Sequence, residues 1–252
     1  MPIHLGVCLL LSTVFSLTLG SHGFASFINP PNSFRANAAI HVESNREDWL
    51  PLVQAENLSS QPPVRKLVVE EGSGDIAKTG SNVEIEYIGT LVGEKDWTSQ
   101  DVVSCWLSEL QGLNHLCDIF LEKDIDGSML MDQTKLTEDF CMNELGISNK
   151  IQAKKLVMAA KRIGNQQIDH PAGTEFDSSI HRGKYFSFIL SGGKVIKAMD
   201  LAVGSMRVGE KAKLVCRSDY AYGSEGLRSS KGDIIVPPFA TLCFDLQLIK
   251  AE

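Results

Sequence analysis

Two blocks of period-two alternation, separated by a long stretch of different rhythm, constrain this chain more than any other feature. Val83, Ile85 and Tyr87 alternate with Glu84 and Glu86, and the run ends around Leu91-Val92-Gly93. Alternation resumes only at Phe186, Phe188 and Leu190. It continues with Ala212, Leu214 and Cys216 between Lys211, Lys213 and Arg217, and closes with Leu242, Phe244, Leu246 and Leu248 against Thr241, Asp245 and Gln247. Side chains that alternate faces bury one side of a sheet and wet the other. Val64 to Val69 adds a short β-branched strand ended by Gly72-Ser73-Gly74, and Val195 to Val203 offers one short helix stopped by Gly204. The predicted fold class is therefore α+β, an antiparallel curved sheet wrapped on one short helix.

The intervening stretch reads as all-α. Thr98 and Asp101 form a capping-box pattern before Val102, Val103, Trp106, Leu107 and Leu110, which share one helical face. Leu113, Leu116, Ile119 and Phe120 keep helical spacing, and Thr137 can cap a short helix that stops near Gly146. Ile151, Leu156, Ala159, Ala160 and Ile163 stripe a last helix ended by Gly164. Roughly seventy residues suffice for a compact bundle of some five helices. Its charge is segregated: Asp118 to Glu144 is mainly acidic, whereas Lys150, Lys154, Lys155, Lys161 and Arg162 load the last helix with positive charge. Asp124-Ile125-Asp126-Gly127 is not an EF-hand, because its glycine comes too early and no matching glutamate follows. No metal site or cofactor is expected.

A formal net charge of -7 argues against a broad nucleic-acid footprint. The six cysteines form no CxxC pair, and Cys105, Cys117, Cys216 and Cys243 fall among apolar residues as packing groups. Val7 to Leu19 is an almost unbroken apolar run, too short to span a bilayer comfortably but suited to a signal peptide over 1–23. Ser21 and Gly23 suit the cleavage positions. Phe24 to Ala39 lacks Asp and Glu, contains Arg35 and is transit-peptide-like. A leader followed by Phe24-Ala25-Ser26-Phe27 resembles bipartite plastid targeting in algae with secondary plastids. A plastid destination is the first expectation and the secretory lumen the second. Glu43 to Pro63 reads as a linker, and no membrane span is expected once the leader is removed.

"VEIEYIGTL" at 83–91, "FDSSIHRGKYFSFIL" at 176–190, "GKVIKAMDLAVGSMRVGEKAKLVC" at 193–216, "AYG" at 221–223 and "PPFATLCFDLQLI" at 237–249 resemble, in order, the FKBP family of peptidyl-prolyl isomerases. "WTSQDVVSCWLSELQGL", "FLEKDIDGSMLM" and "LTEDFCMNELGI" resemble a sterile alpha motif domain, with Asn149-Lys150 where its usual "GHR" would stand. The expected organisation is a discontinuous isomerase domain over 64–93 and 172–252, with the helical module and its connectors over 94–171 inserted in a hairpin loop.

The resemblance implies catalysis of rotation about X-Pro amides in client proteins. That rotation has a barrier of roughly 18–20 kcal/mol and takes tens to hundreds of seconds unaided. An apolar pocket that strips water from the planar amide and binds the twisted one needs no nucleophile. By resemblance Tyr87, Phe176, Phe186 and Phe244 form aromatic walls, and Val195 and Ile196 hold a ligand carbonyl at the helix entrance. Asp177 faces the proline ring, with Arg182 pairing to Asp177 and Tyr87. Tyr222 donates its hydroxyl to a substrate carbonyl, and Ile235 and Val236 close the rim. Asp177 and Tyr222 are the expected catalytic pair. Met199 stands where the family usually has a tryptophan floor, Ala198 replaces a common glycine, and Ser224 to Asp233 is longer and more polar than the usual rim loop and lacks its common histidine. Reduced activity is therefore expected, and a non-catalytic binding scaffold is the alternative. For the module, the resemblance implies a partner domain or head-to-tail self-association through the basic last helix. A merely solvated helix face, or RNA binding by that face, remains open beside it.

Overall fold

The computed structural model describes residues 49–53 and 62–252. The expected leader, its cleavage point, the transit-like segment and Cys8 lie outside these residues.

The strands are β1 (Leu50–Pro51), β2 (Val64–Glu70), β3 (Asn82–Val92), β4 (Glu175–Ser178), β5 (Phe186–Ile189), β6 (Lys211–Cys216), β7 (Leu227–Arg228), β8 (Ile234–Val236) and β9 (Thr241–Ala251). Seven of them form one antiparallel sheet in the order β1-β2-β6-β9-β3-β4, with β5 also on β3. Its spine is the β3–β9 pair, which runs from Val83 opposite Ala251 to Val92 opposite Thr241 with one register shift between Glu84 and Ile85. The other edge of β3 is shared, its first residues by β5 and its last by β4. Along β3 every second residue from Val83 to Leu91 is buried, as alternation requires. The helix α6 (Lys197–Gly204) sets Ala198, Met199, Ala202 and Val203 into the same core as Val83, Ile85, Leu214, Leu242 and Leu246.

Between β3 and β4 the chain builds α1 (Ser99–Cys105), α2 (Cys117–Glu122), α3 (Gly127–Met131), α4 (Glu138–Asn143) and α5 (Lys150–Asp169). The capping box at Thr98 is formed in both directions, and Thr137 and Asn149 cap α4 and α5. Asp126 caps α3 by accepting from the Met129 amide at 2.7 Å. Trp106, Phe120, Leu107, Leu113, Leu130 and Leu156 are among the largest fully buried side chains, so the helical insert has a core of its own. Its two ends meet at the sheet: Leu91 N–H donates to Thr174 O at 2.9 Å, and Gly173 N–H to Leu91 O at 2.8 Å.

The structure corrects four readings of the sequence. The expected linker supplies a sheet edge, because Leu50 and Pro51 pair with Lys66 and Arg65. Two residues carry no legible period, and an edge strand tolerates proline because its outer amide needs no ladder partner. Helix α5 does not end at Gly164 but runs to Asp169, and Pro171 follows. The extra turn is fastened where Gln167 Oε1 accepts from Glu94 N–H at 2.9 Å. Ile151 is 79% exposed rather than part of the core stripe, whereas Ala153 and Val157 turn inward. Finally, the rim loop is ordered as the β7–β8 hairpin, with Ser229 Oγ accepting from Lys231 and Asp233 amides. The five cysteines in the described region are all free; Cys105, Cys141 and Cys216 are buried, and Cys117 and Cys243 are half-buried.

Candidate functional site

The sheet brings four aromatic rings together. Tyr87 on β3 meets Phe186 on β5 edge-to-face at 5.8 Å between centroids and Phe244 on β9 at 6.3 Å. Phe176 on β4 meets Phe244 edge-to-face at 5.6 Å. Such geometry sets ring edges against ring faces and fixes each plane. The cluster depends on Gly89, opposite Phe244 on the neighbouring strand. A Cβ there would stand 2.7 Å from Phe176 Cζ and 3.0 Å from Phe244 Cε1. Gly89 was not singled out from the sequence, yet the signal was present: it occupies an inward position between Tyr87 and Leu91 where a large apolar residue is otherwise expected.

Polar groups frame one side. Tyr87 Oη donates to Asp177 Oδ2 at 2.5 Å and accepts from Arg182 Nη2 at 2.8 Å. Arg182 Nη1 also donates to Asp177 Oδ1, and its guanidinium lies 5.6 Å from the Tyr87 ring centre. Asp177 Oδ1 accepts from the Ser178 amide at 2.9 Å. The backbone is clasped as well, Tyr87 N–H donating to Ser179 Oγ at 2.9 Å and Ser179 N–H to Tyr87 O at 3.0 Å. Burial, then the hydrogen bond to the Asp177 carboxylate, pushes the Tyr87 phenol well above its ordinary range. It therefore stays protonated and holds the carboxylate in place.

Val195, Ile196, Tyr222 and Ile235 are partly buried against the same apolar cluster, and Met199, Val236 and Phe244 lie within it. Ile196 is the N-cap of α6, and its carbonyl accepts from Met199 and Asp200 amides. Tyr222 is half-buried, and its hydroxyl has no hydrogen-bond partner among the described residues. Burial, with the nearby charge of Asp177, pushes its pKa up to about 12. It is a neutral donor with its proton uncommitted. The expected apolar residues thus share one core cluster, and Asp177 and Arg182 join it through their bonds to Tyr87. The basic residues Lys150, Lys154, Lys155, Lys161 and Arg162 are not among them; all are exposed on α5, with Lys155 Nζ donating to Gln111 O.

A family model for FKBP-type peptidyl-prolyl cis-trans isomerase matches residues 159–249, and one for the SAM domain (sterile alpha motif) matches 95–163. The chain is 46% identical over 80 residues to peptidyl-prolyl cis-trans isomerase Fkbp12 of Drosophila melanogaster, covering 32% of this chain and 69% of that protein. It is 46% identical over 78 residues to peptidyl-prolyl cis-trans isomerase FKBP4 of Homo sapiens, covering 31% of this chain but 16% of that longer one. The solved structure of AtFKBP13 is similar at 20% identity and a TM-score of 0.41, over 75% of this chain and 93% of that one. Strands β2 and β3 precede the matched stretch 159–249, although they pair in the same sheet.

Proposed function

The chain belongs to the FKBP-type peptidyl-prolyl cis-trans isomerase family and carries a sterile alpha motif domain, and from that premise we propose that it accelerates X-Pro rotation in client proteins. The observation that carries the reading is the uncommitted hydroxyl of Tyr222, which packs against the same core as the fixed aromatic rings. The apolar walls receive the proline ring and withdraw water from the planar amide, which loses more solvation than the twisted one. Tyr222 donates to a substrate carbonyl, while Asp177, held by Tyr87 and Arg182, faces the ring. Each ~1.4 kcal/mol of preference for the twisted amide gives about tenfold in rate. The isomerase unit comprises 64–93 and 172–252, and the helical module over 94–171 recruits partners.

Cis/trans exchange of a short X-Pro peptide, followed by NMR with the full chain, tests this. The parent should accelerate exchange, and a Tyr222→Phe, Asp177→Ala double variant should lose most of the effect. A folded parent without acceleration would overturn it.

Met199 favours a second reading, a peptide-binding scaffold with little turnover. A flexible thioether replaces the rigid indole plane that the family usually places at the floor. Met199→Trp should raise turnover and macrolide binding if the floor limits either; no change in both removes that explanation.

Self-association through the basic face of α5 is the role proposed for the module, its acidic counterpart being the stretch from Asp118 to Glu144. Light scattering with and without Lys154→Glu decides it, and a strict monomer at high concentration in both would remove it. Import into a plastid, with the secretory lumen as alternative, rests on residues 1–39 and is tested by N-terminal sequencing of the native protein. No helix of the described residues is long and apolar enough to cross a membrane.

A further inference from the structure

Three consecutive residues leading into β9 alternate between two structures. The Phe239 side chain packs against the core of the helical domain. Ala240 is buried in the sheet core. Thr241 Oγ1 accepts from Trp97 Nε1 at 2.8 Å, and Trp97 O accepts from Gly127 N–H at 2.8 Å, which joins the contact to α3. Both members of the Trp97–Thr241 pair are buried.

The backbone of Phe239 meets the loop that carries Tyr222. Its N–H donates to Gly223 O at 2.9 Å, beside Tyr222. Gly223 N–H in turn donates to Ser218 O at 2.7 Å, and Gly226 N–H to Tyr222 O at 3.1 Å. Gly226 presses so closely on the strand before Phe239 that a Cβ there would stand 2.3 Å from Val236 O. The tyrosine loop therefore leans on residues 236–239 at two points. Phe239 has φ of 64°, a left-handed conformation uncommon for a bulky residue. That twist lets one residue send its ring to the helical domain and its amide to the tyrosine loop.

We propose that Phe239 is a positioning residue through which the helical domain holds Tyr222 in register with the pocket. The proposal rests on the reading of Tyr222 as donor to substrate. An apolar side chain at this place is explained by the helical surface it meets, and a polar one would leave the loop anchored to the strand alone.

The test uses the full chain with Phe239→Asn, which tolerates the left-handed backbone but lacks the ring, and Phe239→Leu, which keeps an apolar grip. Phe239→Gly is a third form that relaxes the backbone outright, should the asparagine variant not fold. Asn and Gly should lower kcat for an X-Pro peptide at least about fivefold with a smaller change in KM, and Leu should restore most of it. Independently of turnover, exchange of the Phe239 amide should quicken about tenfold in Asn and Gly, the Tyr222 ring resonances should shift, and the Leu246 amide should stay as in the parent. An inactive parent would sink the catalytic reading while leaving these resonances to decide the positioning claim. Unaltered Tyr222 resonances and Phe239 exchange in Asn and Gly overturn the proposal, as does an unaltered kcat in an active enzyme.

Discussion

At the scale of single residues, two positions decide more than their size indicates. Gly89 leaves room for the Phe176 and Phe244 rings, and Gly89→Ala would force both to tilt. Overpacking of this kind costs about 1–3 kcal/mol. The variant should therefore unfold at lower urea and turn over X-Pro peptide more slowly, measured side by side. Glu94 is the second: its side chain is buried at the foot of the helical domain, and burial raises its pKa from 4.5 to about 7. A folded-state pKa above the unfolded one means that the folded chain binds more protons between those values. Stability from this group is complete below pH ~4.5, falls as pH rises to about 7, and the full penalty persists above that. Glu94→Gln should therefore exceed the parent in stability by ~3 kcal/mol at pH 8 and match it near pH 4, read from denaturant midpoints at both. The aromatic residues and Asp177, Arg182 and Tyr222 were legible in the sequence because family motifs carry them. Glu94 was not, since nothing in a glutamate beside a lysine announces that the fold will cover it.

Among the elements, strands and caps were the most readable. Alternation gave β3, β6 and β9 almost to their ends, and Thr98 and Thr137 cap where short polar residues precede apolar periodicity. Boundaries set by tertiary contact were not readable. Gly164 looked like a stop, but α5 continues because Gln167 binds the backbone of Glu94 and Pro171 supplies the real end. The glycine has space around it, its nearest neighbour to an added Cβ being Met131 O at 3.7 Å. Gly164→Ala should therefore stabilise the chain by about 1 kcal/mol through helix propensity alone, visible as a higher midpoint with an unchanged denaturant slope. β1 and the β7–β8 hairpin were missed for another reason: strands of two or three residues are too short for a two-residue alternation to repeat.

For the whole molecule, the helical domain and the sheet have separate cores yet share a seam at Trp97, Thr241 and Phe239. Residues 62–252 fall within one compact unit. Fluorescence, two of whose three tryptophans lie in the helical domain, and far-UV circular dichroism should then report coincident unfolding midpoints. Trp97→Phe leaves the buried Thr241 hydroxyl without its donor, at about 1–3 kcal/mol, and should separate the two curves. The paired bonds at Leu91, Gly173 and Thr174 carry a consequence for synthesis. As the polypeptide leaves the ribosome, β3 emerges long before any strand it will pair with. The helices, built from near neighbours in sequence, close first and bring the two ends of a gap of ~80 residues together, so that β4 arrives already beside β3. A gap shortened in effect from ~80 residues to a handful lowers the closure entropy by about 2 kcal/mol. Weakening the helical core with Leu156→Ala should accordingly slow refolding of the sheet in stopped-flow experiments; an unchanged rate would mean that the strands find one another without that help.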